Sequence, residues 1–98
     1  MDKPIYVFVK WQIKSDSRQT VLNLLPELIE KSSNEKGNLT YKIFQDKSNT
    51  NTLLLLEAYS NEESIEEHRQ SKHFQDIVIK QIVPLLENRE ITLTSEFH

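Results

Sequence analysis

A chain of 98 residues with a net charge of −3 and no cysteine has room for one domain, spanning 1–98. It offers no disulfide, thiolate metal ligand or cysteine nucleophile. Charged residues make up 28% of it, without the clustered Lys/Arg excess of a nucleic-acid binder, and no apolar stretch approaches the ~20 residues of a membrane-spanning helix. The lone glycine, Gly37, excludes a glycine-rich phosphate loop and a Rossmann fingerprint. The start, Met1-Asp2-Lys3-Pro4, runs straight into a strand pattern with no leader-like stretch, so the expectation is a cytoplasmic protein with neither nucleic acid nor membrane as partner.

Ile5, Val7, Val9, Trp11 and Ile13 alternate with Tyr6, Phe8, Lys10, Gln12 and Lys14, a period of two that predicts a strand. Ser15-Asp16-Ser17 ends it and offers helix caps. Val21, Leu22, Leu24, Leu25, Leu28 and Ile29 then follow at helical spacing, predicting an amphipathic helix over 17–33 that Pro26 bends. After the Ser32–Asn38 connection, Leu39, Tyr41 and Ile43 alternate with Thr40, Lys42 and Phe44, a second strand. The polar run 47–51 reads as a hairpin loop. Leu53-Leu54-Leu55-Leu56-Glu57-Ala58-Tyr59 is apolar on both sides, the pattern of a strand buried on both faces. Ser60-Asn61-Glu62-Glu63 has the form of a capping box, with Ser60 as N-cap, opening a short acidic helix to Arg69. From Ser71 a further helix carries Phe74, Ile77, Val78, Ile82 and Leu85, limited by Pro84. Ile91, Leu93 and Phe97 alternate with Thr92 and Thr94 as a last strand.

The order β-α-β-β-α-α-β is a split βαβ, ferredoxin-like α+β pattern with an antiparallel sheet, whose first and third strands are central. Helices cover one face of such a sheet. Tyr6, Phe8 and one side of Leu53–Leu56 therefore need another cover, and a second copy packed sheet to sheet would supply it. The expected state is a homodimer.

Glu35-Lys36-Gly37-Asn38-Leu39-Thr40-Tyr41, then Phe44-Gln45-Asp46, the run Leu56-Glu57-Ala58-Tyr59-Ser60, and His68 followed by His73-Phe74 together resemble the signature of the antibiotic biosynthesis monooxygenase-like (ABM) family. The resemblance covers nearly the whole chain and is strongest over 35–74. It implies a dimeric α+β barrel. It also implies one of the family's activities: quinol oxidation, tailoring oxygenation, haem degradation, or isomerisation of a phosphorylated autoinducer. The family's oxygenases need no flavin or metal, so no cofactor is expected. Leu55 and Tyr59 stand where the antibiotic oxygenases have Asn and Trp, and Val78 lies near the iron-ligating His of haem-degrading relatives. Those departures point away from haem chemistry and toward the quinol-oxidising and isomerase members.

Three residues are candidates for catalysis: His68, Glu57 and His73. His68 shares a helix face with Ile65, and an imidazole titrating near neutral pH can move a proton on or off a hydroxyl or enol. It could equally tie the short helix to the sheet. Glu57 ends an apolar strand, where a carboxylate needs a partner; it could orient a histidine, accept a substrate hydroxyl, or serve only the local structure. His73, at a helix start, is expected neutral and could cap, hydrogen-bond or polarise a carbonyl. No third ligand accompanies the two histidines in sequence, so no metal is expected. Tyr59, Trp11, Tyr41 and Phe44 are candidate walls of a substrate cleft, each with an ordinary core alternative. Arg69 is a candidate anchor for a substrate phosphate or carboxylate. The reading is a cofactor-independent monooxygenase acting on a small quinol- or enol-like metabolite. The alternatives are an isomerase of a phosphorylated hydroxy-ketone, or a ligand-binding dimer without activity.

Overall fold

The computed structural model describes residues 3–97; Met1 and Asp2, part of the amino-terminal reading above, lie outside them. The elements are β1 (Ile5–Ile13), α1 (Arg18–Ser33), β2 (Asn38–Gln45), β3 (Thr52–Tyr59), α2 (Glu62–Gln70), α3 (Phe74–Ile82), a 3₁₀ turn (Val83–Leu85) and β4 (Leu86–Ser95). The sheet is antiparallel throughout, in the order β2-β3-β1-β4. The first and third strands are central, as the ferredoxin-like reading requires.

Alternation on β1 sends Val7, Val9, Trp11 and Ile13 into the core and Phe8 and Lys10 outward. On β3, Leu53, Leu55, Glu57 and Tyr59 face inward, while Leu54 is exposed and Leu56 half-buried. Within one chain that strand is therefore covered on one face, not two. The core closes when α1 lays down Val21, Leu25, Leu28 and Ser32, α2 lays down Ser64, Ile65 and His68, and α3 lays down Ile77, Val78 and Ile82. Pro26 sits on the exposed side of α1, which runs through it. A proline there withholds the donor that the Leu22 carbonyl would otherwise receive, and an exposed position is where that loss is cheapest, since water can replace it. α3 has the wider hydrogen-bonding of a π-helix, a form that recurs at functional sites.

Three expectations need correction. The cap of α2 is Asn61, not Ser60: its Oδ1 accepts from the Ser64 backbone N–H at 2.9 Å, so the helix begins one residue later than the capping-box reading. β4 begins at Leu86, five residues before the Ile91 alternation, and stops at Ser95, short of Phe97. Leu39 is turned out to solvent because β2 slips register between Asn38 and Thr40, and a bulge moves a side chain to the other face.

Candidate active site

The site grows from a break between two helices. In an unbroken helix, residues five apart point roughly 140° away from each other. Ser71 interrupts the run: its hydroxyl donates to the His68 carbonyl oxygen at 2.6 Å and accepts from the Phe74 N–H at 3.2 Å. The chain turns, and His68 and His73 come to the same carboxylate. Glu35 Oε2 lies 2.6 Å from His68 Nδ1 and 2.5 Å from His73 Nε2.

Glu35 is the residue that sequence reasoning passed over. It lies in the loop leading to β2, where no periodicity marks it. Its only signal was a place in the signature, two residues before Gly37. That glycine explains the loop's position. A Cβ at Gly37 would lie 1.9 Å from Ser64 Oγ and 2.4 Å from Ser64 Cβ, so only glycine lets the loop close on α2. The Gly37 carbonyl also accepts the Ser60 N–H at 3.0 Å, holding Glu35 against the helix that carries His68.

The other edge of the His68 ring meets the end of β3. His68 Nε2 is 3.9 Å from Glu57 Oε1, beyond hydrogen-bond range. That oxygen instead accepts from the Tyr59 hydroxyl at 2.6 Å. Burial, joined by the nearby Glu35 carboxylate, pushes the Glu57 carboxyl above its ordinary range, against the opposing pull of the Tyr59 hydrogen bond and of the neighbouring His68 and Arg69 side chains. Burial, then the neighbouring Glu57 charge, raises both the Tyr59 and Tyr41 phenols, so both stay protonated donors. Rings of Phe74, Tyr59, Tyr41 and His73 surround the imidazole at centroid distances of 5.0, 5.4, 5.8 and 6.0 Å.

Tyr41, Glu57, Tyr59 and His68 floor a cavity of about 60 Å³ walled by Val7, Val9, Trp11, Ile65, Phe74 and Val78, with Arg69, Arg89 and Ile91 at its rim. It brings together Trp11, Tyr41, Glu57, Tyr59, His68 and Arg69 of the expected set. His73 reaches it only through Glu35. Phe44 is not there: it is 51% exposed on the opposite face of the sheet, because Tyr41 and Ile43 point inward and period two sends Phe44 out. Arg89 was missed because its strand was read as starting later. Among the described residues, Glu35, His68 and His73 are also the group whose donor atoms could hold a metal ion. Their 2.5–2.6 Å carboxylate–imidazole spacings are those of hydrogen bonds, tighter than the roughly 3.3 Å between ligands of a tetrahedral zinc, so the trio would have to spread to take one.

The antibiotic biosynthesis monooxygenase (ABM) family matches residues 4–80 of the chain. The chain belongs to that family. Among its relatives, the monooxygenase-named protein YcnE of Bacillus subtilis is 30% identical over 69 residues, covering 70% of this chain and 73% of that protein. Protein sll1783 of Synechocystis sp. is 29% identical over 79 residues, covering 81% of this chain and 54% of that protein. The chain thus spans about half the length of this second relative. A conserved protein from Methanosarcina mazei superposes with a TM-score of 0.89 at 30% identity, covering 96% of this chain and 93% of that one. The ferredoxin-like ABM fold is accordingly shared along nearly the whole chain.

Proposed function

We propose that this ABM-family chain is a cofactor-independent monooxygenase of small quinol- or enol-like metabolites, with His68 as its base. One observation carries the reading: His68 is held with one nitrogen engaged and the other open to an apolar cavity. An ionised Glu35 can only accept, so the contact at Nδ1 fixes the proton there. The lone pair is left on Nε2, which has no hydrogen-bond partner among the described residues. A hydroxyl entering the cavity would give its proton to Nε2. The resulting oxyanion, shielded from water by Val7, Val9, Trp11 and Phe74, passes one electron to dioxygen, and the radical pair recombines to a carbon-bound peroxide. The His68 imidazolium returns its proton as the O–O bond breaks, leaving one oxygen on the oxidised substrate and releasing the other as water. Tyr59 and Tyr41 line the same cavity, the Tyr59 hydroxyl already donating its proton to a hydrogen bond with Glu57. Glu35 and His73 position the base; Glu57 takes the Tyr59 proton donor and sets the polarity behind His68.

The working unit we propose is a homodimer. Phe8 is 52% and Leu54 45% exposed. Register places Leu54 between Lys10 and Phe44, and Phe8 opposite Leu56, so these side chains form one apolar patch. A second copy offering the same patch would cover it.

Oxygen uptake with reduced quinones tests the activity. Wild-type protein should consume oxygen and His68→Ala should not, while keeping the same fold by circular dichroism. Anaerobic turnover of a phosphorylated hydroxy-ketone, without oxygen uptake on any quinol, would replace the oxygenase with the isomerase. Ligand binding with no turnover of either kind would make the chain a binding module.

A further inference from the structure

The cavity is smaller than any quinol. Its volume of about 60 Å³ holds roughly four ordered waters, at ~15 Å³ each. Only the reacting end of a substrate fits inside, and the rest must pass the rim. Most lining residues are buried; those exposed are Arg69 on α2, Arg89 on β4 and Ile91. Two guanidinium groups, one from α2 and one from β4, therefore meet whatever protrudes.

Neither is engaged elsewhere. Among the described residues, the ion pairs use lysines and histidines, and neither guanidinium makes a hydrogen bond. On α2, Glu66 stands three residues before Arg69, a spacing that favours a pair, yet its carboxylate accepts from Gln70 at 3.0 Å. On β4, Glu90 accepts from Asn88 at 3.2 Å and leaves Arg89 alone. In a chain of net charge −3, acidic partners are plentiful, and both rim arginines are without one. The Arg69 charge reaches Glu57, which lines the cavity.

We propose that the substrate is an anion. Its hydroxyl-bearing end enters toward His68, and a carboxylate or phosphate monoester at its other end is held between Arg69 and Arg89. The planar forks of the two arginines suit either group. The proposal rests on the ligand-binding role of this cavity given above, and extends it to the chemical class of the ligand.

Binding is measured without turnover, under nitrogen, by titration calorimetry with phenol, 4-hydroxybenzoate and 4-hydroxyphenyl phosphate. Emission of Trp11, the chain's single tryptophan and a wall of the cavity, gives a second readout. At least one anionic probe should bind roughly tenfold or more tighter than phenol, and the tighter of the two names the anchored group. Arg69→Gln and Arg89→Gln should each remove most of that preference and leave phenol unaffected. Lys47→Gln, the same charge change in the distant hairpin loop, should not. Raising the salt concentration on wild-type protein should weaken the anions and spare phenol, which keeps the test alive if a variant misfolds. Equal affinity for all three probes, or a preference that survives both arginine variants, overturns the proposal. An anion preference here, with no oxygen uptake from the reduced quinones in the aerobic activity assay, would sink the oxygenase and leave this inference standing.

Discussion

Glu57 is buried at the cavity floor with the Tyr59 hydroxyl on one of its oxygens, and burial raises its carboxyl above the ordinary 4.5. The folded state therefore holds this proton longer than the unfolded chain does. The contribution to stability is complete below the ordinary carboxylate range and is lost as pH rises through the folded value. Glu57→Gln keeps an acceptor for Tyr59 and cannot ionise. Thermal unfolding from about pH 4 to about pH 8 should show a flatter profile for the variant, with a Tm at neutral pH no lower than the parent's. A variant less stable than the parent at neutral pH, where the parent carries the full penalty, would contradict this account. Glu35 acts through His68 and should behave differently. In Glu35→Gln the amide can face either histidine with its oxygen or its nitrogen, so the single imidazole tautomer is lost. We expect kcat on the proposed quinol substrate to fall ~10–100-fold with KM changed little, and the nitrogen NMR signals of His68 to show a tautomer mixture. Unchanged tautomer signals would remove Glu35 from the positioning role.

Between elements, the closest approach is Gly37 against Ser64. Gly37→Ala forces Cβ onto the Ser64 side chain and should cost ~1–3 kcal/mol by denaturant unfolding, an overpacking penalty. Adding Ser64→Gly removes both clashing atoms, so the double variant should recover part of the loss; Ser64→Ala retains the 2.4 Å Cβ clash and should not. Additive losses in the glycine pair would mean the contact does not set the loop. Much of this level was legible from residue spacing. The period of two on β1 and β3 and the helical stripes of α1 and α3 report a one-sided core directly. The rest was hidden by geometry that a linear pattern does not carry. Leu39 obeys the alternation on paper and loses it to a bulge. The first residues of β4, Glu87-Asn88-Arg89-Glu90, lie on an edge strand exposed on both sides, where no burial imposes a pattern. His68 and His73 converge only because Ser71 breaks the helix, and Glu35 comes from a loop. The pattern of apolar positions thus reports the core, whereas the polar site is assembled only in three dimensions.

The whole molecule leaves an apolar sheet face uncovered: Phe8, Leu54 and Phe44 are each about half exposed. In light scattering at micromolar concentration we expect twice the 11.6 kDa chain mass for the parent. Phe8→Asp should give the single-chain mass or a marked loss of stability, since a carboxylate would be trapped unpaired in an apolar contact. A parent at 11.6 kDa, or an unaltered dimer in Phe8→Asp, would refute the sheet-to-sheet pairing.

The position of β4 has a kinetic consequence. Among the described residues this strand bonds only to β1, and both its faces are open, with Ile91 and Leu93 each 48% exposed on the side where helices cover the rest of the sheet. Detaching it sacrifices little buried area, so it should open locally at a free energy well below that of global unfolding, while β1 and β3 stay paired. Amide hydrogen exchange should then proceed in β4 ahead of β3. Because Arg89 and Ile91 form the cavity's outer rim, the same fluctuation widens the way to His68. The molecule's least protected strand would in this way set how often its interior can be reached.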